Sequence, residues 1–247
     1  MSKFTILLAE KTIQITSIHD YIYDYCKEYH FDAAEEKTDI SVEISKDNIE
    51  FERRKSEEED IFEGKEVRKF SDEYLETLAV YRKIAEELIE NKTILFHGSV
   101  VAVDGKGYLF AAKSGTGKST HTRLWREYFG SRAVMVNDDK PLLKIKDDGV
   151  YAYGTPWDGK HRISNNICVP IVGICFLERG ENNNISLIER KQGFNRLLEC
   201  SYRSKEPAKM IKTLDILRKI EERVPLYSLK CNMDISAAKV AYEGMKR

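Results

Sequence analysis

The sequence predicts an α/β fold, a phosphate-loop core preceded by a smaller α+β N-terminal region. Three observations carry this expectation. A glycine-containing run ends in Gly117-Lys118-Ser119 between an apolar strand and a helical segment. Short apolar runs and helical stripes alternate after Lys92, where the pattern changes, and residues 1–70 carry strand signals of their own. At 247 residues the chain exceeds the usual single-domain size, and the expected division is 1–70 and 71–247.

In the first region Ile6, Leu8, Ile13 and Ile15 fall at even spacing within two short runs, which predicts strands with one apolar face. Residues 38–45 repeat the signal, and residues 18–29 read as a helix. The charged run 53–60 lacks periodicity and reads as a solvated loop or helix face. Ser71, followed by Asp72 and Glu73, places an acceptor at a helix cap and negative charge in its first turn. That helix should run to about Asn91 with Tyr74, Leu78, Tyr81, Ala85 and Leu88 as its apolar stripe.

The second region opens with apolar runs at 94–96, 99–103 and 107–110, the last two a hairpin closed by a glycine-containing turn. Further strands are expected at 133–136, 142–145, 150–153 and 169–177. Pro207 opens a helix with Met210, Leu214, Leu217 and Ile220 on one face, Pro225 closes it, and Asp234 caps a last helix.

Forty basic and 41 acidic residues give a net charge of −1, which argues against a broad nucleic-acid or anionic-lipid surface. Cys26, Cys168, Cys175, Cys200 and Cys231 contain no C-x-x-C pair and read as reduced, mostly buried thiols. The N-terminal apolar run is too short for a secretory segment, and no stretch approaches the ~20 apolar residues of a membrane helix. A cytoplasmic protein is expected.

The run Ala112-Lys113-Ser114-Gly115-Thr116-Gly117-Lys118-Ser119 fits A/G-x-x-x-x-G-K-S/T, follows an apolar strand and precedes a helix at 121–128. Gly115 and Gly117 let the backbone curl so that successive N–H groups point inward at phosphate oxygens, and the helix N-terminus adds positive potential. Ser114, Gly115, Thr116, Gly117, Lys118, Ser119 and Thr120 form the expected nucleotide-binding set. Lys118 suits the β- and γ-phosphates and the Ser119 hydroxyl suits Mg²⁺. Ala112 stands where glycine is commoner, which a negative φ tolerates.

The strand at 133–136 ends in Asn137-Asp138-Asp139-Lys140. One carboxylate can hold Mg²⁺ while the other accepts a hydroxyl proton as the γ-phosphoryl group moves. Adjacent side chains on a continuing strand point opposite ways, so a turn must begin here for both to serve, and Pro141 favours one. Without the upstream loop the same run reads as a surface turn. The segment 154–162 offers Lys160 and Arg162 to a transferring phosphoryl group, or is an ordinary Gly/Pro loop.

Phe96-His97-Gly98-Ser99-Val100-Val101, the loop 114–119 and Asn137-Asp138-Asp139 resemble, in order and spacing, the catalytic domain of HPr kinase/phosphorylase, most clearly over residues 96–156. The resemblance implies the core shared by HPr kinase and phosphoenolpyruvate carboxykinase, ATP- and Mg²⁺-dependent phosphorylation of a serine-type hydroxyl, and self-association. It implies Asp138 as general base, Asp139 as its acidic neighbour, Lys118 as the phosphate lysine and His97 as the active-site histidine, with Ser119 and Asp139 at the metal. The family's Glu-Ile-Arg-Gly-Leu-Gly signature has no counterpart, and Thr155 to Arg162 stands near its place. The match is closer to HPr kinase-like proteins, whose acceptors include peptides and small molecules, than to the bifunctional HPr enzyme. Two alternatives share the loop chemistry: a phosphoenolpyruvate carboxykinase-like lyase, for which the chain is short, and a nucleotide-dependent regulatory ATPase.

Overall fold

The computed structural model describes residues 1–32, 37–113, 115–159 and 161–246. The chain divides into two units, Met1–Glu87 and Leu88–Arg247.

In the first unit the two expected strands, β1 (Ser2–Leu8) and β2 (Lys11–Ser17), pair as a hairpin that sets Phe4 against Ile15 and Ile6 against Ile13. All four side chains are buried, as period-two patterning requires. The helix expected over 18–29 is a short α1 (Tyr21–Tyr25) followed by a single 3₁₀ turn, Lys27–Tyr29. Strand β3 (Ile40–Glu43) adds parallel to β2, and α2 (Lys46–Phe62) carries the charged run. That run is not wholly solvated: Asp60 is 1% exposed and accepts the Arg68 guanidinium at 2.7 Å and the Arg68 amide at 3.0 Å.

Ser71 caps α3 (Asp72–Leu88), its hydroxyl accepting the Tyr74 amide at 3.4 Å. The buried face differs from the expected stripe. Leu75, Ala79, Val80 and Ile84 are buried with Tyr81 and Ala85, whereas Tyr74 is 40% exposed. The buried side begins one residue later because Glu76 also faces inward, accepting the amides of Ile18 at 2.6 Å and His19 at 3.0 Å. The two compact units meet at 87/88, so α3 up to Glu87 falls in the first.

The second unit runs β4 (Thr93–Leu95), β5 (Ser99–Val103), β6 (Lys106–Ala111), α4 (Lys118–Phe129), β7 (Ala133–Asn137), β8 (Leu142–Lys146), β9 (Gly149–Tyr153), β10 (Cys168–Arg179), β11 (Asn184–Leu187), α5 (Arg190–Cys200), α6 (Pro207–Arg223), β12 (Leu226–Cys231) and α7 (Ser236–Met245). Among the described residues these strands make one curled nine-stranded sheet in the order β4-β8-β9-β10-β6-β5-β7, with β12 also on β10 and β11 on β12. Strand β10 organises it. Residues 168–170 pair antiparallel with β9; from Ile171 the strand pairs parallel with β6, across a register shift between Ile171 and Gly173, and from Ile174 parallel with β12. The C-terminal ends of β6, β10 and β12 thus share one edge, the usual place for a ligand crevice in a sheet of this kind.

Side chains alternate across β5 and β6 and fill two cores. Val100, Leu109 and Ile174 pack with Leu197 of α5 and Leu217 and Ile220 of α6 on one face. Val101, Phe110 and Cys175 pack with Leu124 and Trp125 of α4 and Ala237 and Ala241 of α7 on the other. Burial of each large aliphatic side chain contributes roughly 1.5–3 kcal/mol, which fixes both helical layers against the sheet. All five cysteines are free. Among the described residues no helix is long and apolar enough to cross a membrane.

Candidate active site

The chain leaves the sheet after Ala111 and re-enters regular structure at Lys118. Between them Gly115 (φ +76°) and Gly117 (φ +120°) adopt left-handed conformations that side chains disfavour. Ala112 is not among the residues of positive φ. The Thr116 amide donates to Lys113 O at 3.1 Å, and Arg179, at the end of β10, donates from Nη2 to Gly115 O at 2.6 Å. The loop is therefore tied to the neighbouring strand. The first α-helical bond of α4 runs from the His121 amide to Gly117 O at 2.9 Å, so the amides just before it have no intrahelical acceptor. Ser114 lies outside the described residues.

Lys118 Nζ sits 3.2 Å from His97 Nε2 and donates to Ala112 O at 3.2 Å. His97 Nε2 is in turn 3.3 Å from Asp139 Oδ1. The short link holding His97 is strapped on both sides, with the His97 amide bonded to Cys200 O at 2.6 Å and the Gly98 amide to Asp139 O at 3.0 Å. Burial lowers the Lys118 pKa, against the opposing pull of Asp139, Cys200 and Asp138. Burial also pushes Asp139 upward, but the His97 hydrogen bond and the charges of Lys140, His97 and Lys118 outweigh it and hold this carboxyl below its usual range.

Asn137 builds the turn that presents the two acids. Asn137 is fully buried; its Oδ1 accepts the amides of Asp139 at 2.9 Å and Lys140 at 2.6 Å. Its Nδ2 donates to Thr155 Oγ1 at 3.0 Å, Thr155 O at 3.2 Å and Trp157 O at 3.3 Å. The carboxylates consequently diverge. Asp138 is buried, with Thr122 Oγ1 3.5 Å from its Oδ1 and the Ser119 hydroxyl hydrogen-bonded to it. Burial raises its pKa, hydrogen bonds from Ser119 and Ser99 oppose that, and the charges of Asp158 and Asp139 add to the rise. Ser119, expected beside Asp139, therefore stands with Asp138, while Asp139 stands with His97.

Residues 154–159 fold back against this acid. Asp158 Oδ1 accepts the amides of Asp138 at 3.2 Å and Gly159 at 2.6 Å, and its Oδ2 accepts the Ser164 amide at 2.8 Å. Ser164 Oγ accepts the Asp138 amide at 3.1 Å. A Cβ on Gly159 would lie 2.9 Å from Asp138 Oδ2, so this segment acts as a support for the carboxyl. Arg162 is exposed with φ +45°, and Lys160 lies outside the described residues. Asn137, Thr155, Asp158 and Ser164 were not anticipated; the one local signal was an Asn preceding two acids, a common former of side-chain-closed turns. Among the described residues no group of three or more His, Cys, Asp or Glu side chains could hold a metal ion. A cation here would take ligands from hydroxyls and from a bound phosphate as well.

His121, in the first turn of α4, is buried and accepts the Trp125 Nε1–H on Nε2 at 3.0 Å. Burial pushes its pKa down to about 4. Between the ordinary value near 6.5 and about 4 the unfolded chain binds the proton and the folded chain does not, so stability present above that window is lost as pH falls through it. The full effect is about 3 kcal/mol. Thermal midpoints recorded from pH 7 to pH 4 should fall less steeply in His121→Gln than in the parent; identical slopes would contradict this origin.

Comparison with known proteins adds three findings. No curated protein matches the sequence. Among 65 matching chains of solved structures is the Hpr(Ser) kinase/phosphatase from Coxiella burnetii, 11% identical, covering 61% of this chain and 95% of that chain with a TM-score of 0.35, a weak resemblance on which no argument about the site rests. The family model described as SynChlorMet cassette protein ScmC matches residues 65–237, more than half of the sequence, and the chain belongs to that family.

Proposed function

We propose that this protein transfers the γ-phosphoryl group of ATP, with Mg²⁺, to a hydroxyl on a peptide, protein or small molecule. One observation carries the reading: a glycine-shaped loop at a helix N-terminus delivers Lys118 to His97 and Asp139, with the buried Asp138 on the adjoining turn. Loop amides and Lys118 would hold the phosphates. The hard oxygen donors of Ser119 and the acidic pair fit Mg²⁺. Bound there, the ion would offset charge on the phosphate oxygens.

The remaining chemistry belongs to the chain. Asp138 takes the proton of the acceptor hydroxyl, and its raised pKa makes it a stronger base than a solvated carboxylate. Lys118 exchanges its resting partners, His97 and Ala112 O, for phosphate charge. Asp139 orients His97 beside that lysine. These groups all lie within Leu88–Arg247. The test is transfer from γ-labelled ATP with Mg²⁺ into a bacterial lysate, separated into macromolecular and small-molecule fractions. Label in either fraction, lost with Asp138→Asn, supports the kinase and names the acceptor class; label in free phosphate alone favours a regulatory ATPase.

A further inference from the structure

Two clefts flank the phosphate loop. One, of about 610 Å³, is lined by His97, Ala112, Phe176, Arg196, Glu199 and Cys200. The other, of about 490 Å³, lies against α4 and is lined by Gly117, Thr120, His121, Leu124, Leu177 and Met233. We propose that the α4 cleft receives the nucleoside half of the nucleotide, base and ribose, and that the cleft beside His97 is left to the acceptor. This assignment rests on the phosphotransfer reading above.

The direction of a nucleotide on the loop decides between them. Its terminal phosphate must lie near Lys118 and the acidic pair, and its base must trail from the opposite end. His97, joined to Lys118 and Asp139, lines the first cleft and not the second. Thr120 and His121, beyond Lys118 on α4, line the second and not the first. The phosphate chain therefore runs from the His97 side toward α4.

The walls agree with that polarity. Leu124, which lines only this cleft, is buried, and Met233 stands 79% exposed at the rim, a pliable apolar cover for a flat base. The volume lies within the roughly 300–1,000 Å³ of small-molecule sites. His121 adds a buried polar side chain to the wall. It is 2% exposed, its Nε2 accepts the Trp125 N–H, and its Nδ1 has no hydrogen-bond partner among the described residues. With Nε2 the acceptor, the ring proton sits on Nδ1, an unpaired donor on the residue that lines this cleft. Glu178 and Arg179 line both clefts, and the cleft beside His97 alone adds Lys113, Arg196 and Glu199, side chains suited to a polar acceptor.

The full-length protein is irradiated with 8-azido-ATP and the attachment site mapped by peptide mass spectrometry. Label on peptides carrying Leu124 or Met233, which line only the α4 cleft, is expected; label centred on 196–200 would overturn the assignment. Calorimetry with two probes, ATP and inorganic tripolyphosphate, separates this from failure of the underlying reading, because tripolyphosphate engages the loop alone. Met233→Ala should weaken ATP about fivefold and leave tripolyphosphate unchanged. Glu199→Ala, in the other cleft, should leave both unchanged. An unaltered ATP affinity in Met233→Ala, or equal loss of both probes, refutes the nucleoside cleft. If the parent binds neither probe, the phosphate-loop reading falls with it.

Discussion

Asp138→Asn is expected to reduce phosphoryl transfer by about 10³-fold or more while ATP affinity changes by no more than about threefold. The substitution keeps the shape and removes the base. The backbone amide of Asp138 would still reach Asp158 and Ser164, and its carbonyl would still accept Ser99 Oγ at 2.8 Å, so the turn persists. Burial is the largest contributor to the raised pKa of this carboxyl. In the interval between its unfolded and folded values the native state binds more protons than the unfolded chain, so stability falls as pH rises through that interval. At neutral pH the charged form is therefore held at a cost, and the Asn variant should be at least as stable as the parent. The acid limb of the parent's transfer rate should lie above the ordinary carboxylate range. Transfer assays over pH, nucleotide titrations and thermal melts check the three parts; a parallel loss of nucleotide binding and transfer would remove Asp138 from the role of base.

Gly154→Ala should cost about 3 kcal/mol or more and lower transfer with it. The position is limited by space, since Gly154 is not among the residues of positive φ. A Cβ there collides with the Asn165 carbonyl oxygen and would lie 2.7 Å from Val136 O. Both obstacles are main chain and cannot rotate aside. Asn165 is held by its amide to Val136 O at 3.3 Å and by Nδ2 to Met135 O at 2.8 Å. Relief of the clash must therefore shift residues 164–165 or the end of β7, and Ser164 supports Asp138 directly. Denaturant unfolding and transfer assays on one preparation measure both effects. Gly159→Ala makes a useful contrast, because its Cβ meets the tip of the Asp138 side chain and should impair transfer more than stability.

Much of the second unit was legible because its signals are local. The register of β5 on β6 pairs Val103 with Lys106 and leaves Asp104 (φ +51°) and Gly105 (φ +77°) as a two-residue turn, the conformation a glycine-containing hairpin demands. The loop and α4 followed from residue types alone. Strand β12 was missed because, paired on both sides by β10 and β11, it buries Leu226, Tyr227 and Leu229 without clean alternation. Helix α5 was hidden by Gly193, a poor helix residue whose absent side chain admits Leu226, 2.5 Å from where a Cβ would stand. The supporting shell of the acids was illegible for another reason. Asn137 meets Thr155, and Asp138 meets Ser164, across 18 and 26 residues of chain, and no periodicity encodes such a meeting.

Strand β10 answers to three neighbours at once. A slide of one residue that suited β9 would misalign β6 and β12 and turn every side chain of the strand to the wrong face. Its position is therefore overdetermined, and it acts as a common datum from which other heights are measured. The mouth of the glycine-shaped loop after β6, the Arg179 tether at the end of β10 and the turn leaving β12 are kept level with one another.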